Sequence, residues 1–123
     1  MKLLAVTLVA FVALSHLGIL VLEMFYWDHP VGRKIFGMTA VQSADSAVLA
    51  MNQGLYNGFL AAGLIWGLVT DRFDIKVFFL CCVIVAGIFG AATAKGTILL
   101  TQAAPAAVAL LAVFLAGRTR KAP

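Results

Sequence analysis

The chain has 123 residues, 63% of them hydrophobic and 11% charged, with a mean hydropathy of +1.06. A soluble domain carries about a quarter charged residues and nearer half apolar ones. The composition therefore excludes an ordinary water-soluble domain and predicts a single-domain integral membrane protein. The net charge of +4 sits at segment ends. It reads as topology information, not as a nucleic-acid surface.

Lys2 opens an apolar run that ends in Phe25-Tyr26-Trp27, an aromatic belt of the kind that marks a membrane interface. Ala13-Leu14-Ser15 resembles a signal cleavage site, but the apolar run continues past it. About 20 apolar residues span a bilayer, so residues 3–27 are expected as a retained helix. Residues 28–47 are expected as an outer loop. Asp28-His29-Pro30-Val31-Gly32 supplies turn chemistry, and Arg33 to Gly37 a short surface helix or turn. Ser43 or Asp45 is expected to cap the second helix, 48–69. A charged turn over 70–74 leads to a third helix, 75–94. Lys95-Gly96 leads to a fourth, 97–117, in which Pro105 threatens a kink. The adjacent Cys81 and Cys82 point in different directions on one helix and read as buried, inert thiols.

Four spans place both termini on one side. That side carries Lys2, Arg72, Lys76, Arg118, Arg120 and Lys121; the other carries Arg33, Lys34 and Lys95. The positive-inside rule predicts cytoplasmic termini in the cell (inner, cytoplasmic) membrane. The expected fold is an all-α, antiparallel four-helix transmembrane bundle.

The polar intramembrane residues are the candidate site. Glu23 lies one turn from the outer end of the first helix, and His16 two turns deeper on the same face. The second helix returns with Asn52, Gln53, Tyr56 and Asn57 on an arc of about 140°. Depth counting matches Glu23 with Asn52 and Gln53, and His16 with Tyr56 and Asn57. Gln102 of the fourth helix falls in the same outer half. Gly54, Gly58 and Ala62 form a small-residue stripe on the opposite side of the second helix. An intramembrane ionisable group is a functional candidate by default. His16 and Glu23 are therefore the expected ionisable, catalytic-type centre. Asn52, Gln53, Tyr56, Asn57 and Gln102 are the expected ligand-binding residues. The bland alternatives are interhelical glue and a carboxylate snorkelling to the interface. A metal on His16, Glu23 and His29 is disfavoured, because helical ligand pairs sit three or four residues apart, not seven.

The run His16-Leu17 through Leu22-Glu23-Met24-Phe25, then Trp27, Pro30, Gly32-Arg33-Lys34, Phe36-Gly37 and Asn52 to Gly63, resembles the small bacterial and fungal membrane proteins grouped as domain of unknown function 1304. The resemblance implies a four-span membrane protein and no activity. The leading functional expectation is a polar cavity binding a small molecule or lipid headgroup, with catalysis and cofactor left open. One alternative is a proton-coupled transporter acting as a homodimer, similar in architecture to the small multidrug resistance exporters. The other is a structural or assembly protein without ligand. Partners are the lipid bilayer and a second copy of the chain, with no nucleic acid.

Overall fold

The computed structural model describes residues 1–118, with Arg118 described by its backbone only. Arg120 and Lys121, counted above for topology, lie outside the described residues, as does the Arg118 side chain. The fold is all-helical: α1 (Lys2–Phe25), α2 (Pro30–Phe36), α3 (Ala40–Val69), α4 (Phe73–Thr93) and α5 (Ala104–Arg118), the last preceded by a π-helical turn, Leu99–Ala103. Three helices are long and apolar enough to cross a membrane: Lys2–Phe25, Phe73–Thr93 and Leu99–Gly117. These are the features of a multi-pass membrane protein. At 1.5 Å per residue α3 is the longest element, about 45 Å. Asn52, Gln53, Tyr56 and Asn57 dilute its apolar character and keep it out of that set.

The chain packs as two compact units. The first contains Met1–Ala13 and the chain from Ala62 onward. Its core is aliphatic and tight, with Val9, Leu64, Leu80, Val83, Ala106 and Ala109 fully buried. α4 and α5 form an antiparallel hairpin. Gly87 sits so close to Ala103 that an added Cβ would lie 2.8 Å from the Ala103 nitrogen. At the other end Phe73 stacks edge-on against Phe114, with ring centres 5.3 Å apart. The end of α3 packs on α4 through Gly63, against the Phe79 ring, and Gly67, against Ile75 and Lys76.

Pro105 does not break the last span. A proline lacks the amide hydrogen needed for an i→i−4 bond and crowds the carbonyl behind it. The turn before it widens instead, and the Ala104 amide donates to the Leu99 carbonyl, five residues back. Such π turns are one recognised way a helix absorbs a local mismatch.

The α3–α4 turn is a Schellman closure. Arg72 N–H donates to Gly67 O at 3.0 Å and Asp71 N–H to Leu68 O at 3.2 Å. This puts Asp71 in the left-handed region at φ 49°, where glycine is usual. Asp71 occupies it because its carboxylate ties two elements together: Lys2 and Lys76 each donate to it at 3.0 Å.

The second unit is Leu14–Ala61: the C-terminal half of α1, α2 and the first part of α3. The segment 28–47, expected as a loop, holds α2 and the first eight residues of α3. α3 starts at Ala40, not Val48, because Thr39 and Gln42 form a reciprocal capping box. The Gln42 amide donates to Thr39 Oγ1 at 3.2 Å, and the Thr39 amide to Gln42 Oε1 at 2.9 Å. Ser43 and Asp45 are therefore interior helix residues rather than caps. α2 has Pro30 in its first turn and His29 as its N-cap, with Nδ1 accepting from the Val31 amide at 3.2 Å. Gly37 closes it at φ 67°.

α1 and α3 run side by side through glycine. A Cβ on Gly54 would lie 2.6 Å from Met24 Cγ and 3.1 Å from Glu23 Cβ; one on Gly58 would lie 2.6 Å from Leu20 Cδ1. Gly54→Ala should therefore lower thermal stability in detergent by about 1–3 kcal/mol through overpacking. Gly18→Ala, with open space around it, should be neutral or gain up to about 1 kcal/mol of helix propensity. A circular-dichroism melt of both variants beside wild type reads the difference.

The Asp71 pair sets an acid limit. Hydrogen bonds from Lys2 and then Lys76 lower the Asp71 pKa to about 2, from an ordinary 3.8. A depressed folded-state pKa means the stabilisation is complete above the unfolded value and is lost as pH falls through the folded one. Amide protection at the turn, relative to the intrinsic exchange rate at each pH, should thus fall between about pH 4 and pH 2. Asp71→Asn should remove that step.

Candidate functional site

Glu23 and Asn57 meet. Asn57 Nδ2 donates to Glu23 Oε2 at 2.8 Å and to the Gln53 carbonyl one turn back at 3.1 Å. Both hydrogens of the amide are thereby used, and its orientation follows from the network. Glu23 is half-buried. Its other oxygen accepts no hydrogen bond among the described residues.

The depth count places Asn52 and Gln53 opposite Glu23, and the packing of Gly54 against Leu20, Glu23 and Met24, and of Gly58 against Leu20, keeps the Glu23 backbone at that level. Its side chain nevertheless bonds Asn57, one turn further along α3, rather than either of them. The polar arc also does not point at α1: the small-residue stripe does. Asn52, Gln53 and Tyr56 are exposed, Tyr56 at 53%, with its ring edge-on to Phe59. Only Asn57, at the edge of the arc, reaches across.

His16 is buried, 2% exposed. It lies seven residues before Glu23, roughly 10 Å deeper along the axis, below the Glu23–Asn57 pair and not in it. Gln102 belongs to the other unit, half-buried in the π turn. His29 is committed to capping α2 and lies edge-on to Tyr26, with ring centres 5.4 Å apart.

A second polar cluster, not anticipated from sequence, sits around α2, where α1 ends and α3 begins. Ser43, fully buried, donates to Asp28 Oδ1 at 2.6 Å and accepts from Arg33 Nε at 2.9 Å. Arg33 Nη2 closes the triangle on Asp28 at 2.6 Å. The Ser43 hydroxyl and then the Arg33 guanidinium hold the Asp28 carboxyl below its ordinary pKa. Beside it the Trp27 indole donates to Ser46 Oγ at 2.9 Å, and its ring lies 4.7 Å from Phe36. Gly32 is buried where any side chain would strike the Tyr26 and Trp27 carbonyls. Recognising Thr39-x-x-Gln42 as a capping box frees Ser43 from a cap role; that is the signal by which the cluster could have been found. With its groups mutually satisfied, this cluster is a clasp that holds α2 across the end of α1 and the start of α3.

The chain was compared with known proteins. A family model described as "Protein of unknown function (DUF1304)" matches residues 10–114. The uncharacterized protein YpaA of Lactococcus lactis subsp. lactis (strain IL1403) is 30% identical over 118 residues, covering 93% of this chain and 99% of that protein. No solved structure matches.

Ser43→Ala strands the Arg33 Nε–H and removes a donor from Asp28. It should cost about 1–3 kcal/mol, read as a lower midpoint in a melt followed by Trp27 fluorescence. In a double-mutant cycle with Asp28→Asn the two changes should couple by more than about 0.5 kcal/mol.

Proposed function

The chain belongs to the DUF1304 family of proteins of unknown function, and from that premise we propose that it is a four-span membrane protein that binds a small molecule or lipid headgroup at Glu23. The observation that carries this reading is the half-satisfied carboxylate. One oxygen is fixed by Asn57, and the other accepts no hydrogen bond among the described residues. A carboxylate at the end of an apolar span is costly to desolvate unless something pairs with it. The chemistry that fits is a donor group: an amine, an ammonium headgroup or a hydroxyl.

In this reading α3 is the fourth span, supported by its length and by the hydrogen bond that shelters Asn57. The bundle is then a single antiparallel four-helix domain. Both termini lie in the cytoplasm on the six-to-three bias of basic residues. The site opens to the outer side of the cell membrane. Gln53 and Asn57 orient the ligand beside the carboxylate. His16, deeper in α1, supplies a second ionisable group for acid–base chemistry.

Native mass spectrometry of the detergent-purified protein tests this. Wild type should carry a small additional mass that Glu23→Gln and Asn57→Ala lose while keeping the wild-type helical circular-dichroism spectrum. No added mass in any of the three would overturn the binding reading and leave a structural protein. Proton-linked flux into vesicles that Glu23→Gln abolishes would replace it with the transporter.

A further inference from the structure

A stripe on α3 faces away from α1. Leu49, Asn52, Tyr56 and Phe59 follow one another at spacings of three, four and three residues. At 100° per residue they share an arc of about 80°. Gly54, Asn57, Gly58 and Ala61, which carry the α1 contact and the Glu23 bond, lie roughly opposite. All four stripe residues are exposed: Leu49 at 70%, Phe59 at 56%, and Asn52 and Tyr56 likewise open. Among the described residues the side chains of Asn52, Gln53 and Tyr56 make no hydrogen bond.

In the four-span reading, on which this inference rests, that face lies in the membrane. Hydrocarbon offers amides and phenols no partner, so polar side chains at that depth need one from protein. The spacing is that of a helix–helix seam, in which residues three and four apart interlock with a neighbour. A single asparagine within such a seam fixes register and copy number. An amide carries both donors and an acceptor. A second α3 related by a twofold axis can therefore satisfy Asn52 with Asn52, and Gln53 or Tyr56 with its own counterpart, with no other sequence required.

We infer that a second copy of the chain covers the Leu49–Asn52–Tyr56–Phe59 seam, forming a twofold dimer through α3.

The test uses full-length protein in native membranes, with Cys81→Ser and Cys82→Ser as background. Single cysteines are placed at Asn52, Tyr56 and, as controls, at the exposed Val85 of α4 and Leu111 of α5. Copper–phenanthroline oxidation should trap disulfide dimers at 52 and 56 and not at 85 or 111. In mild detergent Asn52→Leu should weaken the dimer about five- to tenfold, the worth of one interhelical hydrogen bond, and Asn52→Gln should restore it. Cross-linking at 52 and 56 no better than at 85 and 111, with those positions shielded from a membrane-impermeant maleimide, would overturn the dimer and leave the four-span reading standing. Maleimide labelling of the cysteine at 52 would overturn both.

Discussion

The close approach of α1 and α3 at Gly54 and Gly58 is the constraint on which the unit Leu14–Ala61 depends. Lipid is as apolar as leucine, so helices in a membrane gain little from hiding hydrophobic surface in one another. What holds them is contact and hydrogen bonding, and both fall off steeply with distance. Glycine on α3 removes the Cβ that would strike Met24, Glu23 and Leu20. Only then is the gap short enough for the Asn57 amide to reach Glu23 at 2.8 Å. Each glycine forfeits about 1 kcal/mol of helix propensity. The contact and the hydrogen bond offset that loss.

The same economy of short polar links recurs at the helix ends, where the chain must turn. Around α2, Asp28, Arg33 and Ser43 form a closed triangle, and Thr39 with Gln42 starts α3 two turns earlier than its apolar pattern does. At the α3–α4 turn Asp71 holds a left-handed backbone and gathers Lys2 and Lys76. In both places a carboxylate outside the apolar segments pairs with a cation five residues on, and Asp71 also with the distant Lys2; the pKa of each is lowered as a result. These links order the turns.

The parts of this architecture legible in sequence are those with a strong local cause. Three apolar spans follow from composition. The short α2 follows from Pro30 and Gly37, and the polar arc on α3 from its own phase. Membership of a family without assigned activity was legible from the Asn-Gln-Gly-Leu-Tyr-Asn-Gly run. What failed was boundary and direction. Counting depth from the ends of apolar runs misplaced the start of α3, because a capping box, not hydrophobicity, sets it. The level of Glu23, beside Gly54, came out as counted, but its side chain bonds Asn57 one turn further along α3. The arc was also read as facing α1, as though polar groups must face the nearest helix. Side-chain volume decides that question first: the residues that let α1 in are Gly54 and Gly58, and the amides go where the glycines are not.

This ordering has a consequence for polar membrane helices more generally. A polar residue in an apolar segment signals that some partner exists, because hydrocarbon cannot satisfy it. It carries no direction. A stripe of small residues carries direction, because only one neighbour can occupy the closest approach. Reading the two together on α3 separates its polar residues into two groups. Asn57, at the margin of the glycine face, is within reach of α1 and is bonded there. Asn52 and Tyr56, on the far side, are beyond any reach from α1 however long the side chain. Asn52 and Tyr56 thus face a direction α1 does not occupy, and the angle between a helix's polar and small faces decides where any partner of its polar groups can come from.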